Sequence, residues 1–309
     1  MIITFITDPL NELHPSKDGT LALAKEVTAQ GHAAILIEDN DITYTHTKKG
    51  EVIFASHYTY PFTRKNEEPF DLSESDIIMM RIDPPFNMNY IYHTYLLEQL
   101  QTLNPKIKVL NPPHVLRSWN EKMAILNFPS LIPPTLVSKK TDEILQFSHQ
   151  FPEGIILKPL DQKGGTGITW LKSSDTHQVK LQKIEKLTHK EKEFIMAQKY
   201  LKEAVKGDKR ITVVNGEIIN CILRVPKEGD FRGNISKGAK AYASNPTAKE
   251  LHAVKIITKE LKKQGVFFAG LDFIGEHLTE LNITSPIVGF TIFPESTKKI
   301  IEELAKVAK

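Results

Sequence analysis

Apolar residues along this chain fall into short continuous runs. Between the runs lie stretches in which apolar residues recur every three or four positions. Residues 2–7 (IITFIT), 33–38 (AAILIE), 76–81 (DIIMMR) and the segment IKVLNPP from Ile107 are apolar and rich in β-branched residues, and read as strands. Asp18 is placed to cap a helix reaching about Gln30, with Gly31 closing it. Tyr90, Thr94, Leu97 and Leu100 share one face of a helix that ends near Leu103. TYTHTKKGEVIFASH reads as a hairpin around Lys49-Gly50. The β-α-β-α-β order implies a parallel sheet with helices on both faces.

After Asn111 the pattern changes. NEKMAILNF (120–128) predicts a short helix, LIPPTLV an extended linker, and residues 141–150 a helix. GIILKPL is a strand, DQKGGTGITWL a glycine-rich turn with a strand after it, and FIMAQKYL another strand. KRITVVNGEIINCILRV is a hairpin with Asn215-Gly216 as a type I′ turn. PKEGDFRGNISKGAK is a long loop, Thr247 to Gln264 an amphipathic helix closed by Gly265, and a last helix starts near Pro294.

The bulk numbers remove several function classes. Lys+Arg is 40 against Asp+Glu 37, a formal net charge of +3, and the basic residues are scattered, so no nucleic-acid partner is expected. No stretch approaches the roughly 18 apolar residues of a membrane span, and no membrane partner is expected. The one cysteine, Cys221, sits in a strand-like run and reads as a buried thiol suited to a reducing, cytoplasmic setting. TDPLNEL follows the first strand where a dinucleotide-binding dehydrogenase would carry G-x-G-x-x-G.

The chemistry concentrates late in the chain. In GLDFIGEHLTELNITSP (270–286), Glu280 and Asn282 share one strand face, and Asp272 lies on the partner strand. A three-residue loop at 275–277 would set Asp272 opposite Glu280; a two-residue loop at Gly275-Glu276 would put them on opposite faces. Parity favours the three-residue loop, which gathers three hard oxygen donors suited to Mg²⁺. A polar face meeting solvent is the plainer alternative. ILKPLDQKGGTG is not a Walker A loop, because Lys158 precedes the glycines and a strand follows them. Lys158 would point at a phosphate, and backbone N–H groups at Gly164, Gly165 and Thr166 would wrap another. Lys122 is a second phosphate candidate. Backbone at Lys199 to Leu201 suits an adenine edge, Asp208 ribose hydroxyls, and Arg210 a phosphate or carboxylate.

These features, in this order, resemble the ATP-grasp superfamily. KDGTLAL (17–23), MMRIDPPF (79–86), NEKMAILNF, ILKPLDQKGGTGI, MAQKYL, GDKRITVVNGE, RGNISKGAKA and GLDFIGEHLTELNITSP resemble bacterial glutathione synthetases over nearly the whole length. The resemblance implies an α/β ATP-grasp fold. It divides the chain into an N-terminal α/β substrate domain at 1–119, a lid at 120–200 and an antiparallel ATP- and metal-binding subdomain at 201–309. It implies ATP-dependent ligation of γ-glutamylcysteine and glycine, in the cytoplasm, by a homo-oligomer such as a tetramer. A related carboxylate–amine ligase with another acceptor, or a non-catalytic ATP-binding protein on the same fold, are the other readings.

By resemblance, ATP would be held by Lys122, Lys158, Gly164, Gly165, Gln198, Lys199, Tyr200, Leu201 and Asp208. Asp272, Glu280 and Asn282 would bind two Mg²⁺, with Mn²⁺ as substitute. Arg210 and Arg232 would be catalytic, and Lys17, Arg81, Asp83, Arg232, Asn234 and Ser285 would contact the other substrates. Residues 227–240 would close as a lid. Three departures stand out: Ile82 where the family commonly has lysine, Asn87 where it has aspartate, and IVGFTIFPESTKKII after NITSP.

Overall fold

A computed structural model of the chain describes residues 1–14, 18–286 and 289–308, apart from the side chains of Glu67 and Ser236. Lys17, expected at the acyl-donor site, lies outside the described residues, as do Ile287 and Val288 of the altered segment.

The first 118 residues build one sheet. Its elements are β1 (Ile2–Thr7), α1 (Gly19–Ala29), β2 (Ala33–Glu38), β3 (Thr43–Thr47), β4 (Gly50–Thr59), β5 (Lys65–Asp71), β6 (Ile77–Met80), α2 (Met88–Leu103), β7 (Lys108–Leu110) and α3 (Pro113–Ser118). The seven strands run β3-β4-β2-β1-β6-β7, with β5 beside β4. β1, β2, β6 and β7 are parallel as expected, but β4 joins β2 antiparallel, so the sheet is mixed. Alternation divides β1 between two cores. Ile3 and Phe5 pack with Leu23 and Val27 of α1, and Ile6 packs with Leu97 and Leu100 of α2. Asp18 caps α1, accepting from the N–H groups of Thr20 and Leu21 at 2.8 and 2.9 Å. The strand order reverses at β1, so the carboxyl ends of β1 and β6 open a crevice. Asp8, Arg81 and Asp83 follow those ends.

The middle of the chain forms a four-stranded antiparallel sheet, β10-β9-β11-β8. It contains β8 (Thr135–Ser138), α4 (Thr141–Ser148), β9 (Ile155–Pro159), β10 (Thr169–Leu171), α5 (His177–Leu187) and β11 (Ile195–Lys199). Residues 155, 157, 195 and 197 face Ile144, Leu145 and Ile184 of the two helices. By alternation, Ile156, Lys158 and Gln198 face the other way. Two local expectations change. The helix expected over 120–128 is a turn followed by a 3₁₀ helix at Ala124–Asn127, and the end of the expected linker pairs with β11 as β8.

The last sheet runs β14-β13-β12-β15-β16, all antiparallel. Its elements are β12 (Asp208–Val214), β13 (Glu217–Val225), β14 (Lys240–Ala243), α6 (Ala248–Lys263), β15 (Phe268–Ile274), β16 (His277–Asn282) and α7 (Glu295–Val307). Ile211, Val213, Leu271 and Phe273 pack with Val254, Ile257 and Leu261 of α6. This leaves Asp208, Arg210 and Asp272 on the opposite face. Asn215 and Gly216 have φ of 50° and 80°, as a type I′ turn requires.

The β15–β16 hairpin corrects the loop expected at 275–277. Its loop is Gly275-Glu276 alone, with Gly275 at φ +58°, which suits the first position of a type II′ turn. Asp272 nevertheless pairs with Glu280, because Phe273 pairs with Leu278 and Thr279 is an unpaired bulge residue. Parity alone does not identify the loop, since one bulged residue restores the face that a two-residue loop would reverse.

Candidate active site

A cleft of about 650 Å³, its mouth included, lies between the middle and last sheets. Its wall is built by cross-strand register. Asp208 stands opposite Arg224, Arg210 opposite Asp272, and Asp272 opposite Glu280. The side chains join as this pairing suggests. Arg224 donates through Nε to Asp208 Oδ1 at 2.9 Å and through Nη2 to Asp272 Oδ2 at 2.8 Å. Arg210 holds Asp272 with a two-pronged contact, its Nη2 at 2.7 Å from Oδ2. Burial alone would raise the Asp272 pKa, but Arg210 and Arg224 hold it well below the usual carboxylate range. Asp208 is pushed upward by burial, against the opposing charge of Arg224.

Two lysines face this row. Lys158, on β9, is buried and donates to the backbone carbonyl of Thr279 at 3.3 Å. The bulge therefore presents the carbonyl that receives Lys158. Burial lowers the Lys158 pKa, aided by the nearby charge of Lys122 and opposed by Glu280. Lys122 donates to Glu121 Oε1 at 2.6 Å and to the Gln162 carbonyl at 2.7 Å. Its burial is outweighed by Glu280 and Glu121, which raise its pKa. Asp208, Asp272, Glu121 and Glu280 thus balance Lys122, Lys158, Arg210 and Arg224 in formal charge.

The floor of the cleft is apolar. Ile156, Ile168, Ala204 and Ile274 line it with Gln198, Lys199, Tyr200 and Leu201. Trp170 stacks on Tyr200 at 4.0 Å and 14°, and Phe231 meets both rings edge-on. Gln198 donates to Thr135 Oγ1 at 3.0 Å. The N–H groups of Lys199 and Tyr200 are taken by the carbonyls of Pro134 and Gly154, whereas that of Leu201 has no hydrogen-bond partner among the described residues.

The long loop after β13 lies over the cleft. Gly233 packs so closely on Asp208 that a Cβ there would fall 2.2 Å from Oδ1, and a Cβ on Gly165 would fall 2.3 Å from Asn234 Oδ1. The glycine turn and the loop are therefore in direct contact. Gly164 and Gly165 both have positive φ, which only glycine adopts freely. Arg232 and Asn234 line the cleft, but Arg232 is paired within its own loop to Asp230 at 2.8 Å.

Other expected residues lie nearby but apart from the cleft lining. Asn282 accepts at Oδ1 from the Thr284 N–H at 3.0 Å, and Ser285 follows, half-buried. Arg81 is buried, donates to the Pro286 carbonyl at 3.0 Å and lies over the Phe268 ring. Asp83 pairs with Lys163 of the glycine turn at 2.9 Å. Asp8, also near Lys163, has its pKa raised to about 6 by burial and then by Asp83. Sequence reasoning passed over Glu121, Trp170, Arg224 and Phe231. For Arg224 a signal existed: an arginine in the apolar strand NCILRV, on the parity that faces the cleft.

The donor set suits a hard divalent cation in kind: two carboxylates directly opposite each other and an amide two residues on. Asp272 would share its oxygens between such a cation and the two guanidiniums.

Similarity to known proteins identifies the family. The family model for the N-terminal domain of prokaryotic glutathione synthetase matches residues 1–117, and that for its ATP-grasp domain matches residues 121–294. A glutathione synthetase of Prochlorococcus marinus subsp. pastoris is 36% identical, covering 99% of this chain and 100% of its own. One of Pseudomonas putida is 37% identical, covering 91% and 89%. Among solved structures, D-cycloserine synthetase DcsG is similar in fold, with a TM-score of 0.74 at 13% identity over 100% of both chains. D-alanyl-alanine synthetase A of Vibrio cholerae has a TM-score of 0.64 at 15% identity, covering 100% of this chain and 97% of its own. Among the described residues no helix is long and apolar enough to cross a membrane. With both of its halves matched and full-length relatives above one-third identity, the chain belongs to the prokaryotic glutathione synthetase family and has the ATP-grasp fold.

Proposed function

We propose that this protein joins γ-glutamylcysteine to glycine with conversion of ATP to ADP and phosphate, and that the cleft is where ATP reacts. The observation that carries the reading is the charged row Arg224–Asp208 and Arg210–Asp272–Glu280 facing Lys158 and Lys122 above an apolar slot. Adenine fits the slot between Ile156 and Ile274, with the free N–H of Leu201 for its edge. Lys158, Lys122 and the Gly164-Gly165 turn are assigned to the phosphates. Asp208 would take ribose hydroxyls on the lone pairs left beyond the two contacts of Arg224.

Asp272, Glu280 and Asn282 would hold Mg²⁺, two ions in the fullest form and replaceable by Mn²⁺; when bound, the metal neutralises phosphate charge. The chain's own residues do the rest. The γ-phosphoryl leaves ADP for the cysteinyl carboxylate of γ-glutamylcysteine, giving an acyl phosphate. The glycine amine then attacks its carbonyl carbon, the C–O bond breaks, phosphate departs and the amine proton is lost. Arg210, held on Asp272, and Arg232 offset the charge of the transferring groups. The loop that carries Gly233 and Asn234 keeps water from the acyl phosphate. Its stretch 227–240 is proposed to order on ligand binding. Arg81, Asp83, Lys17, Asn234 and Ser285 remain the proposed acyl-donor and glycine side of the site. The divisions at 119 and 200 are proposed as domain limits because each sheet closes within them. A homo-oligomer, as large as a tetramer, and a cytoplasmic location complete the proposal.

The test is phosphate release with ATP, Mg²⁺, γ-glutamylcysteine and, in turn, glycine, alanine, serine and β-alanine. Glycine is expected to give the highest kcat/KM. A preference for another amine would reassign the enzyme to a related ligation.

A further inference from the structure

Glu121 is a buried carboxylate that opens the turn between α3 and the 3₁₀ helix at Ala124–Asn127. Its three polar contacts all reach toward the reacting end of the cleft. Oε1 accepts from the Lys122 ammonium at 2.6 Å. Oε2 accepts from the Asn282 side-chain amide at 3.4 Å. Its backbone carbonyl accepts from the Leu281 N–H at 2.9 Å, which fixes the segment against β16 between Glu280 and Asn282. The contacts on Asn282 are directional. With Nδ2 on Glu121 and Oδ1 accepting from both the N–H and the hydroxyl of Thr284, the amide cannot rotate without losing all three contacts.

We propose that Glu121 is a positioning residue of the nucleotide site: it aims the Lys122 ammonium at the phosphates and fixes which atom of Asn282 is offered to the metal. The proposal rests on the reading of the cleft as an ATP site. A purely structural ion pair would need only Lys122. The second oxygen on Asn282, from a residue 161 positions away, ties the lysine and the metal-side amide to one carboxylate.

The experiment measures Mg·ATP binding by calorimetry for the full chain, for Glu121→Gln, for Lys122→Met and for the double variant. Steady-state KM for ATP and for γ-glutamylcysteine is measured beside it. Glu121→Gln is expected to weaken Mg·ATP binding at least tenfold and to raise the Mg²⁺ concentration for half-maximal binding. KM for γ-glutamylcysteine should stay within twofold. In the Lys122→Met background the same change should weaken binding by less than threefold, because its main route is then gone. Should Glu121→Gln not fold, Glu121→Asp, which keeps the charge but shortens the reach, is expected to show the same split between the two KM values. Unchanged Mg·ATP affinity in the folded variant, equal effects in both backgrounds, or equal rises in both KM values would overturn the role. Failure of the unaltered chain to bind Mg·ATP would instead sink the reading of the cleft itself.

Discussion

Replacing Arg224 with methionine keeps much of the side-chain volume and removes one charge from the row. Arg224 donates to both oxygens of Asp208 and to Oδ2 of Asp272. Asp272 keeps the paired contact from Arg210, so the loss falls mainly on Asp208, which is largely covered and left without a partner in contact among the described residues. Breaking a buried pair from one side typically costs about 3–5 kcal/mol, against a total stability of about 5–15 kcal/mol. The sign with pH follows from the group left behind. Burial already raises the folded-state pKa of Asp208, and losing Arg224 removes the main term opposing that. A carboxyl whose folded pKa lies above its unfolded value is penalised progressively as pH rises between the two values, and fully above the folded one. The penalty fades as pH falls, by up to about 1.4 kcal/mol per pH unit. Urea denaturation followed by circular dichroism at pH 5, 6.5 and 8 should therefore show a deficit that is largest at pH 8. Adding Asp208→Asn should recover most of it at pH 8. A deficit below about 1 kcal/mol, a deficit equal at all three pH values, or a double variant no more stable than the single would refute the reasoning.

Three further outcomes follow from the same geometry. Burial raises the Asp8 pKa from 3.8 to about 6, so its ionisation is a cost that builds as pH rises from the lower value to the upper. With its partial exposure discounted, Asp8→Asn should gain about 1 kcal/mol at pH 8, about half of that at pH 5 and nothing near pH 3, read by thermal unfolding; an equal gain at pH 3 and pH 8 would contradict the assignment. Gly165→Ala places a methyl against Asn234 at φ +75° and should cut kcat/KM for ATP about tenfold or more, with partial recovery on adding Asn234→Ala; an unchanged kcat/KM would remove the proposed loop contact. Glu280→Gln should keep the fold by circular dichroism and lose several kcal/mol of transition-state stabilisation, or a hundredfold and more in turnover; near-normal turnover would sink the metal assignment.

How far the sequence could be read depended on whether a signal was local. The strands of the N-terminal sheet and the buried face of α2 were legible because burial imposes a period that neighbouring residues display. Helix α5 was not expected, because HQVKLQKIEKL is mostly polar and only Ile184 is fully covered. The edge strand β14 was not expected either, since KAYA carries little apolar character and is largely exposed. The hairpin around Asp272 shows a different limit. A bulge at Thr279 is one residue of extra chain, and no residue type near it announces the shift. Most of the proposed site residues were named because each sits in a distinctive string. Arg224 and Glu121 were passed over because their partners arrive from other strands, up to 161 residues away.

The departures from the family pattern divide in the structure. Asn87 caps α2, its side-chain oxygen accepting from the Tyr90 N–H at 3.1 Å, which an aspartate would do equally well. Ile82 is buried among the residues packed on α2, where an aliphatic side chain adds to the core and a lysine would need a partner for its charge. These two changes are therefore absorbed by the N-terminal domain itself. The altered segment begins just after Pro286, where the chain leaves the wall of the site. Gly270 lies so close to Arg210 and Pro286 that a Cβ there would meet Arg210 Cδ at 2.9 Å and Pro286 Cβ at 3.1 Å. Arg81 holds the Pro286 carbonyl from the other domain. The chain thus leaves the metal-side hairpin along a path fixed at Pro286 and anchored on Arg210's neighbour. On the proposed reading, the wall that selects the acceptor amine would be built on that path, because an amine as small as glycine is recognised only by a rigid wall and a partner for its carboxylate.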